Sequence, residues 1–299
     1  MSRERILEVV LTMLGAVLLL ITASGAWAQQ SAPPASDQML TTGQLSETPK
    51  AAQCSGPPAF DQESIAAFEQ QAASGDAAAQ CGLGMMYYGG QGVRQDYAQA
   101  ATWYRKAAEQ GNAEAQFMLG TLYDMGHGVP QDYAQAATWY RKATEQGNAE
   151  AQFMLGALYD MGHGVPQDYA QAVFWFRKAA DQGNDEAQHN LGVLYRDGQG
   201  VPQDYAQAAL WFRKAAEQGN ANAQYLLGLQ YGGGLGVPQD YAEAYFWLDL
   251  AAAGKPNASD SKQIAKFRDE AASHLTPDDL SREQERARKW FETHPANPQ

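Results

Sequence analysis

The chain has 299 residues, 45% of them hydrophobic, and a formal net charge of −13 from 21 basic and 34 acidic side chains. An acidic chain without local lysine–arginine clusters repels phosphate backbones and anionic lipid surfaces, which argues against nucleic acid as a partner. Length alone would allow one or two domains, but a fixed-period repeat makes length a matter of copy number.

Residues 1–28 carry Arg3 and Arg5, then the apolar run 9–21, then Ala26-Trp27-Ala28. The run is short for a bilayer span and the small-x-small pattern suits a signal peptidase, so a signal peptide cleaved near Ala28 is expected. Glu4 and Glu8 weaken the positive region and leave an uncleaved inner-membrane anchor as the alternative. No cysteine follows the apolar run directly, so no lipoprotein cleavage site is read. The expected location is periplasmic or secreted, with no membrane insertion after cleavage. Loss of the segment leaves the net charge unchanged, because Arg3, Arg5, Glu4 and Glu8 cancel.

Residues 29–58 are rich in Ala, Gln, Pro and Ser, lack apolar periodicity and read as a flexible linker. Cys54 and Cys81 are the two cysteines. In an oxidising compartment a bridge from the lead-in to the first repeat is favoured over two free thiols. Their spacing fits neither a redox pair nor a zinc site.

From Phe60 the pattern becomes helical. Residues 59–76 read as a capping half-repeat, with Phe68 in register with Tyr104 and Gly75 with Gly111. Five 36-residue units follow, 77–112, 113–148, 149–184, 185–220 and 221–256, and residues 257–299 supply closing helices and a tail. In the second unit Asn112 is placed to cap a helix A whose stripe is Ala115, Leu119, Leu122 and Tyr123. Gly126 and Gly128 break it, Val129 can plug the loop into the core, and Pro130 forces an extended approach. Asp132 then caps a helix B with the stripe Tyr133, Ala136, Ala137, Tyr140 and Ala143. Gly147 fits the C′ position and Asn148 caps the next helix A. One such pair cannot bury both faces, so neighbours must complete the core. The expected fold is all-α, a right-handed α-solenoid of antiparallel helix pairs with capping helices at both ends.

The run AEAQFMLGTLYDMGHGVPQDYAQAATWYRKATEQGN, with its recurring Leu119-Gly120, Tyr123, Gly126-x-Gly128-Val129, Asp132, Ala136, Trp139-Tyr140, Ala143 and Gly147-Asn148, closely resembles the Sel-one-like repeat (SLR) family of tetratricopeptide-like solenoids. The resemblance covers about residues 67–254 and implies a curved scaffold that holds other proteins together. Exported bacterial members look like envelope adaptors, regulators or host-interaction factors. Some cysteine-rich relatives are linked to penicillin binding and β-lactam hydrolysis, but those carry a cysteine pair in most repeats and this chain does not. A β-lactamase or penicillin-binding-type hydrolase is the rival reading from another class, and a peptidoglycan-binding module a third.

The most catalytic-looking string is Ser259-Asp260-Ser261-Lys262, formally an SxxK. The companion strings SDN and KTG are absent, and S-D-S opening a helix is an ordinary cap. No catalytic residue, metal site or cofactor is expected. His127 and His163 stand one repeat, about 10 Å, apart, too far to share a metal unaided, and read as solvent-facing loop residues. The tryptophan series 103, 139, 175, 211 and 247 reads as packing between helices B.

Positions that repeat faithfully are set by stacking, whereas positions that drift are free for recognition. On helix A the drifting rows are Cys81, Phe117, Phe153, His189 and Tyr225; then Met85, Thr121, Ala157, Val193 and Leu229; then Tyr88, Asp124, Asp160, Arg196 and Gly232. Spaced i, i+4 and i+7, they share one face, the concave one in tetratricopeptide-like solenoids. A groove for an unidentified protein or peptide is expected there, with Phe117, Phe153, His189 and Tyr225 in its middle, Thr121 beside them, and Asp124, Asp160 and Arg196 at its edge.

Overall fold

The structure, a computed structural model, describes residues 54–56, 62–254 and 258–294, and for 258–260 only the backbone. The expected signal peptide, most of the linker, the Ser259 side chain and the C-terminal tail lie outside the described residues. Among them every regular element is a helix and consecutive helices pack as pairs. None is long and apolar enough to cross a membrane.

Helix α1 (Gln62–Ala73) is followed by five A/B pairs: α2 (Ala77–Gly89) with α3 (Tyr97–Glu109), α4 (Ala113–Met125) with α5 (Tyr133–Glu145), α6 (Ala149–Met161) with α7 (Tyr169–Asp181), α8 (Asp185–Asp197) with α9 (Tyr205–Glu217), and α10 (Ala221–Gly233) with α11 (Tyr241–Ala253). Helices α12 (Ala258–Ala272) and α13 (Pro277–Thr293) close the array. The fold is an α-solenoid.

Both caps fall where sequence places them. The Asn112 side chain accepts from the Ala115 amide at 2.8 Å, and one Asp132 carboxylate oxygen accepts from the amides of Ala134 and Gln135, both at 3.0 Å. Helix B ends with the Asn148 amide donating to the Ala143 carbonyl, while Gly147 takes φ +81°, a left-handed geometry that costs glycine little.

The core runs between helices and across unit boundaries. Ala100, Tyr104 and Ala107 of α3 pack against Ala115, Leu119 and Leu122 of α4, and Trp139 of α5 reaches the same cluster. Gly120 lets the Tyr140 ring lie directly across helix A, since a Cβ there would stand 2.7 Å from that ring. Small helix-A residues thus admit large helix-B rings. At the N-terminal end Phe68 and Ala72 of α1 bury against Ala79, Leu83 and Met86 of α2, so the half-repeat covers the first unit's open face.

Candidate functional site

The repeated loop is a joint. The Gly126 and His127 amides both donate to the Leu122 carbonyl, the Asp132 amide to the Tyr123 carbonyl, and the Gln131 side chain to the Asp124 carbonyl and the Tyr133 hydroxyl. Gly128, at φ +71°, lies against the first turn of α3 in the preceding unit, so close that a Cβ would stand 2.2 Å from the Tyr97 carbonyl carbon. His127 stacks on Tyr97 at 4.7 Å and His163 tilts over Tyr133 at 4.8 Å. His163 is exposed as expected, but His127 is half-buried, a correction to its reading as a solvent-facing residue. The loop docks its ring on the previous helix B instead of projecting it into water.

A second joint is polar and escaped sequence analysis. The Gln146 amide donates to the Gln116 side-chain oxygen at 2.8 Å, and Gln116, 5% exposed, donates to the Ala108 carbonyl at 3.1 Å. Gln110–Gln80, Gln182–Gln152 and Gln218–Gln188 repeat the first contact. Arginines form a third joint: Arg105 and Arg141 donate to the hydroxyls of Tyr123 and Tyr159 in the next unit, at 2.8 and 3.2 Å. Faithful repetition of these letters follows from stacking.

Most of the drifting positions are half-buried, with Cys81 and Gly232 buried and Met85 exposed. The Phe117 ring tilts against Tyr140 at 5.9 Å, Phe153 against Phe176 at 5.8 Å, and His189 against Phe212 at 6.0 Å, each within its own unit. Tyr225 meets Phe267 of α12 at 6.4 Å, because unit five has Leu248 where the others carry the helix-B ring. Beside Phe117, the Tyr140 hydroxyl lies 3.4 Å from both Thr121 Oγ1 and Asp124 Oδ2. Burial raises the carboxyl pKa of Asp124 and of Asp160, raises that of the Tyr140 hydroxyl, and lowers that of the His189 imidazole. Arg196 is held by its neighbour Asp197 through contacts of 2.7 and 2.9 Å. The structure therefore brings the three rows onto one helix-A face, where Phe117, Phe153, His189 and Tyr225 rest against other rings beside a polar margin.

In the first unit that place is filled by the chain itself. Cys81 occupies the ring position and is disulfide-bonded to Cys54, with Cα atoms 5.2 Å apart. The Ser55 amide donates to the Ala78 carbonyl and the Cys54 amide to Glu114 Oε2, at 3.2 and 3.1 Å. Residue 82 is glycine because the Ser55 carbonyl oxygen sits where its Cβ would be. Cys54, Cys81 and Glu114 cluster closely enough to suggest a metal site, but bonded sulfurs are not thiolate ligands.

The family described as Sel1 repeat matches residues 77–112, 113–148, 149–184, 185–220, 221–255 and 272–293. The chain belongs to the Sel1 repeat family. A solved Sel1 repeat protein from Oxalobacter formigenes is 32% identical, with a TM-score of 0.66 over 78% of this chain and 93% of that one. A protective antigen of uropathogenic Escherichia coli with an SLR fold is 35% identical, with a TM-score of 0.54 over 79% of this chain. The chain spans 57% of that antigen's length. No curated protein matches. The sixth Sel1 match falls on the closing helices, where His274 stacks on Tyr241 at 3.9 Å as His127 does on Tyr97. Sel1 repeat proteins are in general protein-interaction scaffolds without enzymatic activity.

Proposed function

We propose that this chain is a non-enzymatic scaffold of the bacterial cell envelope that holds a partner protein or peptide on its helix-A face. The observation that carries the reading is the seating of Phe117, Phe153 and His189. Each is half-exposed, lies in a row that varies from Cys81 to Tyr225 across the units, and is fixed against a buried ring at about 6 Å. Aromatic side chains locked before binding lose little conformational entropy in the complex, which is what a binding anchor needs. Thr121, Asp124 and Asp160 supply polar contacts at its margin, and Arg196, already paired, sets charge there. The envelope location rests on the expected signal peptide together with a disulfide.

The test exchanges wild type for Phe117→His/Phe153→His, which installs the residue that unit four carries at the same place. Each protein is immobilised and incubated with envelope extract, and retained proteins are identified by mass spectrometry. A retained protein lost on the double variant supports the reading; an identical retained set refutes it. Turnover of nitrocefin by the purified wild-type protein would instead favour the hydrolase.

A further inference from the structure

The array assembles a feature that no local stretch of sequence displays. Each of the first four units carries Arg-Lys near the end of helix B, so the pair recurs at the same helix register in an acidic molecule. Lys106, Lys142 and Lys214 place their ammonium groups over Trp103, Trp139 and Trp211 at 3.8, 4.1 and 3.9 Å. Lys178 lies over Phe174 at 4.8 Å and Trp175 at 5.4 Å. All four lysines are exposed. Their helices end in Glu109, Glu145, Asp181 and Glu217, three residues on, yet the described residues show no ion pair to any of the four lysines or to the arginines beside them. The indole faces hold the ammonium groups in place without neutralising them.

Apolar side chains accompany this edge in the later units. Position six of helix B is Thr102 and Thr138 in units one and two, then Phe174 and Leu210, 47% and 46% exposed. In unit five the same position is Phe246, 3% exposed, because helix α13 lies over it with the Arg286 guanidinium 3.7 Å from the ring. The charges there are matched and reversed: Arg286 pairs with Glu243 at 2.8 Å and Arg268 of α12 with Asp249 at 3.4 Å. Asp249 stands where units one to four have the arginine of the pair. Unit five thus shows what covers this face: closing helices that bring an aromatic-stacked arginine, Arg286, and a second arginine, Arg268, to the carboxylates of the helix B beneath them.

We propose that the helix-B edge of units two to four is a second docking surface, for a helical segment of a partner protein that carries carboxylates beside apolar residues. The carboxylates engage Lys142, Lys178 and Lys214, and the apolar residues cover Phe174 and Leu210. This surface is distinct from the helix-A face proposed above.

The probe is a fluorescein-labelled synthetic helical peptide of about five turns with a glutamate stripe next to a leucine stripe, followed by fluorescence anisotropy against the whole chain. Saturable binding that weakens at higher salt is expected. Lys142→Gln/Lys178→Gln/Lys214→Gln should weaken it about tenfold, at roughly 0.5 kcal/mol for each exposed charge pair. Phe174→Thr/Leu210→Thr, which installs the residue of units one and two, should weaken it about fivefold or more by removing apolar burial. Phe117→His/Phe153→His should leave it unchanged, which separates this proposal from the helix-A reading. The proposal is overturned if no saturable binding occurs, or if inorganic polyphosphate binds as tightly as the peptide and the threonine pair changes nothing. It is also overturned if only the helix-A variant weakens binding, or if the lysine variant merely abolishes a dimer of this chain in sedimentation.

Discussion

Gly128→Ala tests whether the recurring loop is a joint between units. Two costs apply at this position. A non-glycine residue at φ +71° carries a left-handed penalty of about 1 kcal/mol. The new methyl would also stand 2.2 to 2.5 Å from the Tyr97 carbonyl group and the Ala98 nitrogen, all backbone of the preceding unit. Backbone cannot rotate aside as a side chain can, so the joint must open at an overpacking cost of roughly 1–3 kcal/mol. The expected total is about 2–4 kcal/mol. Gly147→Ala isolates the first cost, because Gly147 sits at φ +81° with nothing within 4 Å of a Cβ, and it should lose only about 1 kcal/mol. Urea denaturation followed by circular dichroism reads both variants, with the midpoint as the comparison because repeat arrays depart from two-state behaviour. If the two variants are equally destabilised, the contact with Tyr97 carries no energy and the joint reading of the loop fails.

Other expectations concern the bridge, the glutamine ladder and the buried titratable groups. Reducing the Cys54–Cys81 disulfide, which spans a sequence separation of 27, should cost about 3–4 kcal/mol by the loop-entropy relation, read as a lower thermal midpoint in reductant that a Cys54→Ala/Cys81→Ala protein does not show. Gln116→Ala should cost about 1 kcal/mol, because it removes two hydrogen bonds at once, the one to the Ala108 carbonyl, which keeps the Gly111 amide, and the one from Gln146, whereas the exposed Gln146→Ala should cost less. His189 is held neutral by burial, so below about pH 6.5 the unfolded chain takes up a proton that the folded chain resists, and stability falls with falling pH; His189→Gln should flatten that slope in denaturation midpoints. Asp160 has the opposite sign: its carboxyl pKa is raised by burial, so its contribution to stability is fullest at acid pH and is lost as pH rises through the folded value. Asp160→Asn should therefore stabilise the chain at neutral pH and give no gain in acid.

The fold was legible because one unit contains every local signal a helix pair needs. Asn112 and Asp132 start the helices, Gly126 and Gly147 end them, and the alanine and leucine stripes state which faces meet. Those signals act within a few residues, so they survive reading in one dimension. Contacts across the 36-residue period are of another kind. Gln116 looks like an ordinary polar helix residue until Gln146 and the Ala108 carbonyl are brought to it, and His127 looks exposed until Tyr97 lies beneath it. The candidate site shows both limits. Sequence drift located the face bearing Phe117, Phe153 and His189, yet it gave no sign that Tyr140, Phe176 and Phe212 would hold those rings from behind. Charge was the least legible property, because the absence of any local basic cluster hid an arginine–lysine pair repeated at a constant interval. In a solenoid, a constant interval in sequence becomes adjacency in space. Two basic residues per turn in the first four units are unremarkable in the chain and recur at one register in the fold. The surface chemistry of such a protein is therefore better read down the columns of the aligned units than along the chain.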